Sequence, residues 1–125
     1  MFMSKRRLLL RTSTLALRQR KAHLLRSFKP PPHLLHASLL ERFLTCGKAN
    51  CQCHAGGPKH GPFFYLTRCF ARGQLQSLLL KSPDQVDQAR LSLAAYAQAQ
   101  EVLDEISQIN YELLRRGEVL GGAER

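Results

Sequence analysis

Leucines at positions 10, 17 and 24 recur at sevens, Phe28 follows one turn later, and Leu8, Leu15, Ala22 and Leu25 widen the same stripe. Seven residues are close to two turns of a 3.6-residue helix, so residues 5–28 are predicted to form an amphipathic helix with a basic remaining surface. Lys29-Pro30-Pro31-Pro32 ends it, because consecutive prolines lack backbone donors, and a stiff connector follows to residue 37. Residues 38–45, SLLERFLT, fit a strand or a short helix; a strand is preferred because they feed a Cys-Gly turn and the segments beyond it are β-like. FFYLTRC at 63–69, the glycine turn at 71–74 and LQSLLLK at 75–81 predict a hairpin, and with 38–45 a three-stranded antiparallel meander.

Ser82, Pro83, Asp84 and Gln85 read as a helix start: an N-cap, a proline at the first helical position, an acid in the first turn and a capping-box partner. Gly117 after Arg115 and Arg116 reads as its stop. A continuous helix between them would be about 50 Å long, more than three short strands can cover. Val102, Ile106, Ile109 and Leu113 form one apolar stripe, and Val86, Leu93 and Tyr96 form another that does not join it smoothly. Either the helix bends near Gln98–Glu101, or one half covers the sheet while the other packs on a helix. A dimerising coiled coil is the competing use of such a helix. The tail GEVLGGAER is expected to fray. The chain thus divides into 1–37, 38–81, 82–117 and a tail at 118–125.

Length and charge narrow the reading. The 125 residues suit a single compact domain with appended helices, and the net charge of +10 points to a polyanionic partner, nucleic acid before acidic membrane. The charge is uneven: residues 1–68 hold 13 Lys and Arg and one acid, Glu41, whereas residues 69–125 are net acidic. No segment has the roughly 18 uninterrupted apolar residues of a membrane span. Lys5, Arg6 and Arg7 resemble the start of a signal peptide, but Arg11 interrupts the apolar run after three leucines. An Arg-rich, acid-free start also suits an organelle transit peptide, and a basic helix packed on a fold has the same composition. A soluble intracellular protein with reduced cysteines is the expectation.

The segment CGKANCQCHAGGPKHGPFFYL, residues 46–66, carries the candidate chemistry. Cys46, Cys51, Cys53 and His60 offer the soft thiolates and imidazole that zinc takes in a tetrahedron, and glycines let a short loop bring them together. Gly47 can adopt the positive φ of a tight turn and Asn50 tolerates it, while Gly56, Gly57 and Gly61 let the return strand approach closely. His54 and Cys69 compete with His60 as fourth ligand. A cysteine-rich turn without metal and a redox centre are the alternatives, although the spacing is not the CxxC that a redox pair uses at a helix start. A Cys53–His60 nucleophile would lack an orienting acid, since no Asp or Glu lies between Glu41 and Asp84; no phosphate-binding glycine loop is present either, and no enzyme is expected. For nucleic acid, Arg18, Arg20, Lys21, Arg26 and Lys29 on the first helix and its exit, and Lys48, Lys59, Arg68 and Arg72 around the cluster and hairpin, are the candidate phosphate contacts. Phe63, Phe64 and Tyr65 are candidates for base stacking, with one strand face expected in the core.

ERFLTCGKANCQCHAGGPKHGPFFYL, followed by a hairpin and a helix ending EVLDEISQINYELLRR, resembles the prokaryotic family catalogued as domain of unknown function 6788. The resemblance runs over about residues 38–116: a CGKxxCxC stretch, HGP, an aromatic YL strand and a long helix. It implies zinc at Cys46, Cys51, Cys53 and His60, a cytoplasmic prokaryotic setting, and an association with mobile elements that hints at DNA transactions. Cys69 and the short hairpin tip depart from the family pattern.

The expected architecture is therefore α+β: a basic N-terminal helix, a small antiparallel sheet of two or three strands with a structural zinc knuckle, and a long C-terminal helix. The expected function is nucleic-acid binding, DNA before RNA, as an accessory to a DNA-processing machine and without a membrane partner. Some integrase arm-binding domains use such a helix-backed sheet in the major groove. The alternatives are a protein-interaction or homodimerisation module working through residues 83–116, and a ribonucleoprotein component.

Overall fold

The computed structural model describes residues 9–121. Its elements are α1 (Thr14–Ser27), β1 (Ser38–Leu44), β2 (His60–Phe70), β3 (Gln74–Leu80) and α2 (Pro83–Arg115). They fall into two compact units. Among the described residues, one joins 9–30 with 97–121, and the other is Pro31–Tyr96. The division falls within α2 rather than at its ends, so the two apolar stripes of that helix serve different cores.

In the first unit, α1 begins later than its leucine spacing suggests. Ser13 is extended (ψ 155°) and its Oγ accepts the Ala16 N–H at 3.1 Å, while residues 9–11 form a separate helical stretch. A side chain that satisfies a first-turn N–H starts a new helix, which overrides the uninterrupted helix expected over 5–28. Residues 5–8 of that expectation lie outside the described residues. Leu17 and Leu24 are buried with Ile109 and Leu113, and Val102, Ile106 and Leu120 pack around them. Leu15 and Leu25 do not join this core: they are 66% and 58% exposed. At about 100° per residue, Leu15 lies nearly opposite Leu17 and Leu25 turns away from Leu24.

The end of α2 is locked by charge and by its cap. Buried Glu112 accepts from Arg115 at 2.9 and 2.7 Å and from Arg116 Nε at 2.6 Å. Arg116 also donates to Thr14 Oγ1 and to the Leu9 carbonyl, tying the helix end to the start of α1. Gly117, at φ 80°, lets its own N–H reach the Leu114 carbonyl and the Glu118 N–H reach that of Leu113. The tail expected to fray is held through residue 121: Glu118 pairs with Arg18, Leu120 joins the core, and the Leu120 carbonyl accepts from Lys21. Residues 122–125 lie outside the described residues.

In the second unit the sheet order is β1-β2-β3, antiparallel throughout. Leu39, Leu66, Phe64 and Leu80 pack against Val86 and Ala89 of α2. The helix start follows its sequence signals: Ser82 Oγ accepts the Gln85 N–H, and Gln85 Oε1 accepts the Lys81 N–H. The connector is fastened by Leu35 N–H to the Ser92 carbonyl and by His36 stacked on Tyr96 with centroids 4.3 Å apart. This core is thin, since none of its side chains is as deeply sealed as Leu17, Ile109 or Leu113.

The Glu112 cluster sets an acid limit. Hydrogen bonds from Arg115 and then Arg116 lower its pKa to about 2 from 4.5. A carboxylate depressed by folding contributes stability that is complete above its unfolded pKa and is lost as pH falls toward its folded one. Glu112→Gln is expected to lower the melting temperature at neutral pH, with the gap from wild type closing as pH falls from about 4.5 to about 2, as measured by thermal melts across that range.

Candidate metal centre and basic surface

Leu44 at the end of β1 stands opposite His60 at the start of β2, so the intervening loop begins and ends at one place. Cys46 lies just beyond β1 and His60 opens β2; a short 3-10 turn, Gln52–Ala55, presents Cys53, with Cys51 at its cap. The three Sγ atoms and the His60 nitrogen all lie within 4.8 Å of one another. Cys46 Sγ and Cys53 Sγ are 3.7 Å apart, and Cys51 Sγ is 3.1 Å from His60 Nε2. Metal–sulfur bonds of about 2.3 Å at tetrahedral angles place sulfurs roughly 3.8 Å apart, so the donors stand near the edges of one coordination tetrahedron. These four side chains could bind a metal ion, and three sulfurs with one imidazole suit a thiophilic one.

The loop's backbone shapes the cluster. The Cys46 N–H donates to Cys53 Sγ at 3.3 Å, Cys51 N–H to the Lys48 carbonyl and His54 N–H to the Cys51 carbonyl. Gly56 takes φ 84° to end the 3-10 turn. At Gly61, φ 144°, a Cβ would stand 2.8 Å from the Arg42 carbonyl oxygen and 2.9 Å from the Phe43 ring. Gly47 and Asn50 do not use the positive φ open to them; it falls on Gly56 and Gly61.

Both rivals for the fourth position are placed elsewhere. His54 Nε2 donates to the Cys46 carbonyl at 2.7 Å, a brace on a candidate ligand. Cys69 is exposed, near the far end of β2. The thiol beside His60 is Cys51, not the Cys53 that a nucleophilic pair would have used. The Cys53 N–H and then His60 lower the Cys51 pKa from its usual value to about 6, which favours the thiolate a metal needs. Burial pushes the Cys53 thiol up.

The basic residues sort into engaged and exposed groups. Arg20 makes a two-pronged pair with Glu105 at 2.6 and 3.0 Å, Arg18 pairs with Glu118, and Lys21 donates to Asn110. All three serve the first unit's helix packing. Arg26, Lys29, Lys48 and Lys59 are exposed and pair with no acid among the described residues. Arg68 donates to Gln76 and lies over Phe70, and Arg72 sits at the hairpin tip with φ 58°. Sequence reasoning missed Arg42, whose guanidinium stands 5.7 Å from the Tyr65 ring centroid. Only the β1–β2 register brings those two together.

The family described as "Domain of unknown function (DUF6788)" matches residues 14–90, more than half of the chain. The chain belongs to the DUF6788 family. No curated protein and no solved structure matches it. The DUF6788 match takes in α1, the whole sheet and loop, and the first turns of α2. It therefore reaches further toward the N-terminus than the motif resemblance does, and it stops before the helix end that the resemblance included.

Gly61→Ala is expected to destabilise the protein by about 2 kcal/mol, because the added methyl must push β1 off the start of β2 and alanine disfavours the backbone angle. Chemical denaturation checks this, and Gly47→Ala, where a Cβ meets nothing within 4 Å, should change stability little.

Proposed function

We propose that this DUF6788 chain is a zinc-stabilised nucleic-acid-binding module. The observation that carries the reading is the convergence of Cys46, Cys51, Cys53 and His60 at the root of a loop within a basic sheet segment. Three thiolates this close repel unless a cation lies among them, and a structural zinc is the commonest solution for such a donor set. Its ligands would join the end of β1 to the start of β2, replacing hydrophobic area that so small a sheet lacks. Residues 38–81 carry six Lys and Arg against one acid, a balance suited to a phosphate backbone. Among the described residues no helix is long and apolar enough to cross a membrane.

A second reading has its own support. Leu15, Leu25, Leu103 and Leu114 are each about half or more exposed on the helices of the first unit. Apolar side chains of that size on a helix pair fit a protein-interaction or dimerisation module working through α2. Salt separates the two. Phosphate contacts lose affinity by orders of magnitude between about 50 and 200 mM salt, whereas apolar helix docking changes little.

For the metal, native mass spectrometry is expected to show a single zinc bound per chain. Cys51→Ser combined with Cys53→Ser should abolish it and lower the melting temperature. An intact metal-free protein whose melting temperature zinc does not raise would end the zinc reading. For the partner, anisotropy titrations with labelled DNA are expected to weaken steeply over the salt range above; binding indifferent to salt would remove the phosphate reading.

A further inference from the structure

Sheet register determines what the face of the sheet away from α2 carries. Phe64, Leu66 and Leu80 pack on Val86 and Ala89, so strand alternation turns Phe63, Tyr65 and Thr67 to the opposite face. Leu40 and Leu79 stand on either side of Tyr65 and are 37% and 40% exposed. Thr67 and Ser77 share a hydrogen bond beside them. Arg42, opposite Phe63, reaches over the Tyr65 ring. The single acid of residues 38–81, Glu41, pairs in register with Phe64 and so belongs to the helix-covered face. Cations bracket the central strand: Lys59 immediately precedes β2, and Arg72 follows it at the hairpin tip.

Charge and aromatic character together select an occupant. A second copy of the chain would set two basic sheet surfaces against each other. An acidic protein would answer the charge but give the aromatic pair no particular task. Duplex nucleic acid stacks its bases on one another and offers only their edges, whereas a single strand can lay a base on a partly exposed ring, as Phe63 and Tyr65 are. Phe63 and Tyr65 are two apart on one strand, about 6.6 Å between their Cα atoms, which leaves room for a base on each.

We propose that this open face, centred on Tyr65 and Arg42, is a stacking platform for single-stranded nucleic acid. It rests on the nucleic-acid reading above. Tyr65 and Phe63 carry bases, Arg42 pairs with a phosphate, and Lys59 and Arg72 hold the backbone at the two ends of β2.

The test uses the zinc-loaded full chain with labelled oligo-thymidine, oligo-uridine and a mixed-sequence DNA duplex, followed by anisotropy at low salt. Single strands should bind more tightly than the duplex. Tyr65→Leu should weaken single-strand binding roughly tenfold, and Arg42→Gln several-fold, in variants whose circular dichroism matches wild type. The chain has three tyrosines and no tryptophan, so tyrosine fluorescence gives a readout that needs no folded variant: stacking should quench it in wild type. Tyr111→Leu, on α2, should leave the quenching in place. The two oligonucleotides differ in the 2′-hydroxyl and in the thymine methyl, and either order of affinity between them supports the platform. If wild type binds nucleic acid but prefers the duplex, or if both sheet variants bind single strands as tightly as wild type, the platform is wrong while the broader reading survives. Failure of wild type to bind any of the three probes removes both.

Discussion

Three sulfurs and an imidazole nitrogen meet within 4.8 Å at the point where β1 hands over to β2. Everything distinctive about the second unit depends on that convergence. The loop between the strands has few apolar side chains to bury, and of its residues only Cys53 is buried. What gives it shape is a set of backbone hydrogen bonds, two glycines in conformations other residues avoid, and the mutual approach of the four donors. The same approach concentrates negative charge if the thiols ionise, and the low pKa of Cys51 favours that ionisation. A cation bound at the centre would relieve the repulsion and draw the strands together in one step.

The long helix divides its labour. Its first half closes the face of the sheet that carries Phe64 and Leu66, and its second half packs Ile109 and Leu113 against Leu17 and Leu24. These are different problems in surface area. A helix pair can seal a few large side chains completely, as the near-zero exposure of Leu17, Ile109 and Leu113 shows. Three short strands under half a helix cannot, and a small unit with a thin core needs another constraint. The metal-type donor cluster lies in the unit that has this deficit.

Net charge is a poor guide to where a polyanion would sit. The basic N-terminal half suggests a cationic first helix, yet Arg18, Arg20 and Lys21 are spent on Glu118, Glu105 and Asn110. These contacts orient α1 on α2. Exposed ion pairs of this kind contribute little stability individually, but they take their cations out of the pool available to phosphate. The one acid within the sheet segment, Glu41, stands in register with Phe64 on the helix-covered face, and the next acids in sequence, Asp84 and Asp87, ride on the helix itself.

Much of this was legible from residue order. The prolines after Lys29, the Ser-Pro-Asp-Gln start and the Arg-Arg-Gly stop bound the helices within a residue or two, because caps and stops are local chemistry. The alternation from Phe63 onward gives the strand, and the spacing of Cys46, Cys51, Cys53 and His60 gives the donor set, because both depend on short-range geometry. Ser13 was the local signal that was overlooked, and it divides the first helix. Tertiary structure decided what residue order left open: that His54 turns to the Cys46 carbonyl instead of joining the cluster, that Cys51 is the thiol beside His60, and that Arg42 lies over Tyr65. The last depends on the register of β1 against β2, and a shift of one residue would put Arg42 and Tyr65 on opposite faces. Pairing between distant segments is set by the packing of the whole unit, which no local window of the chain contains.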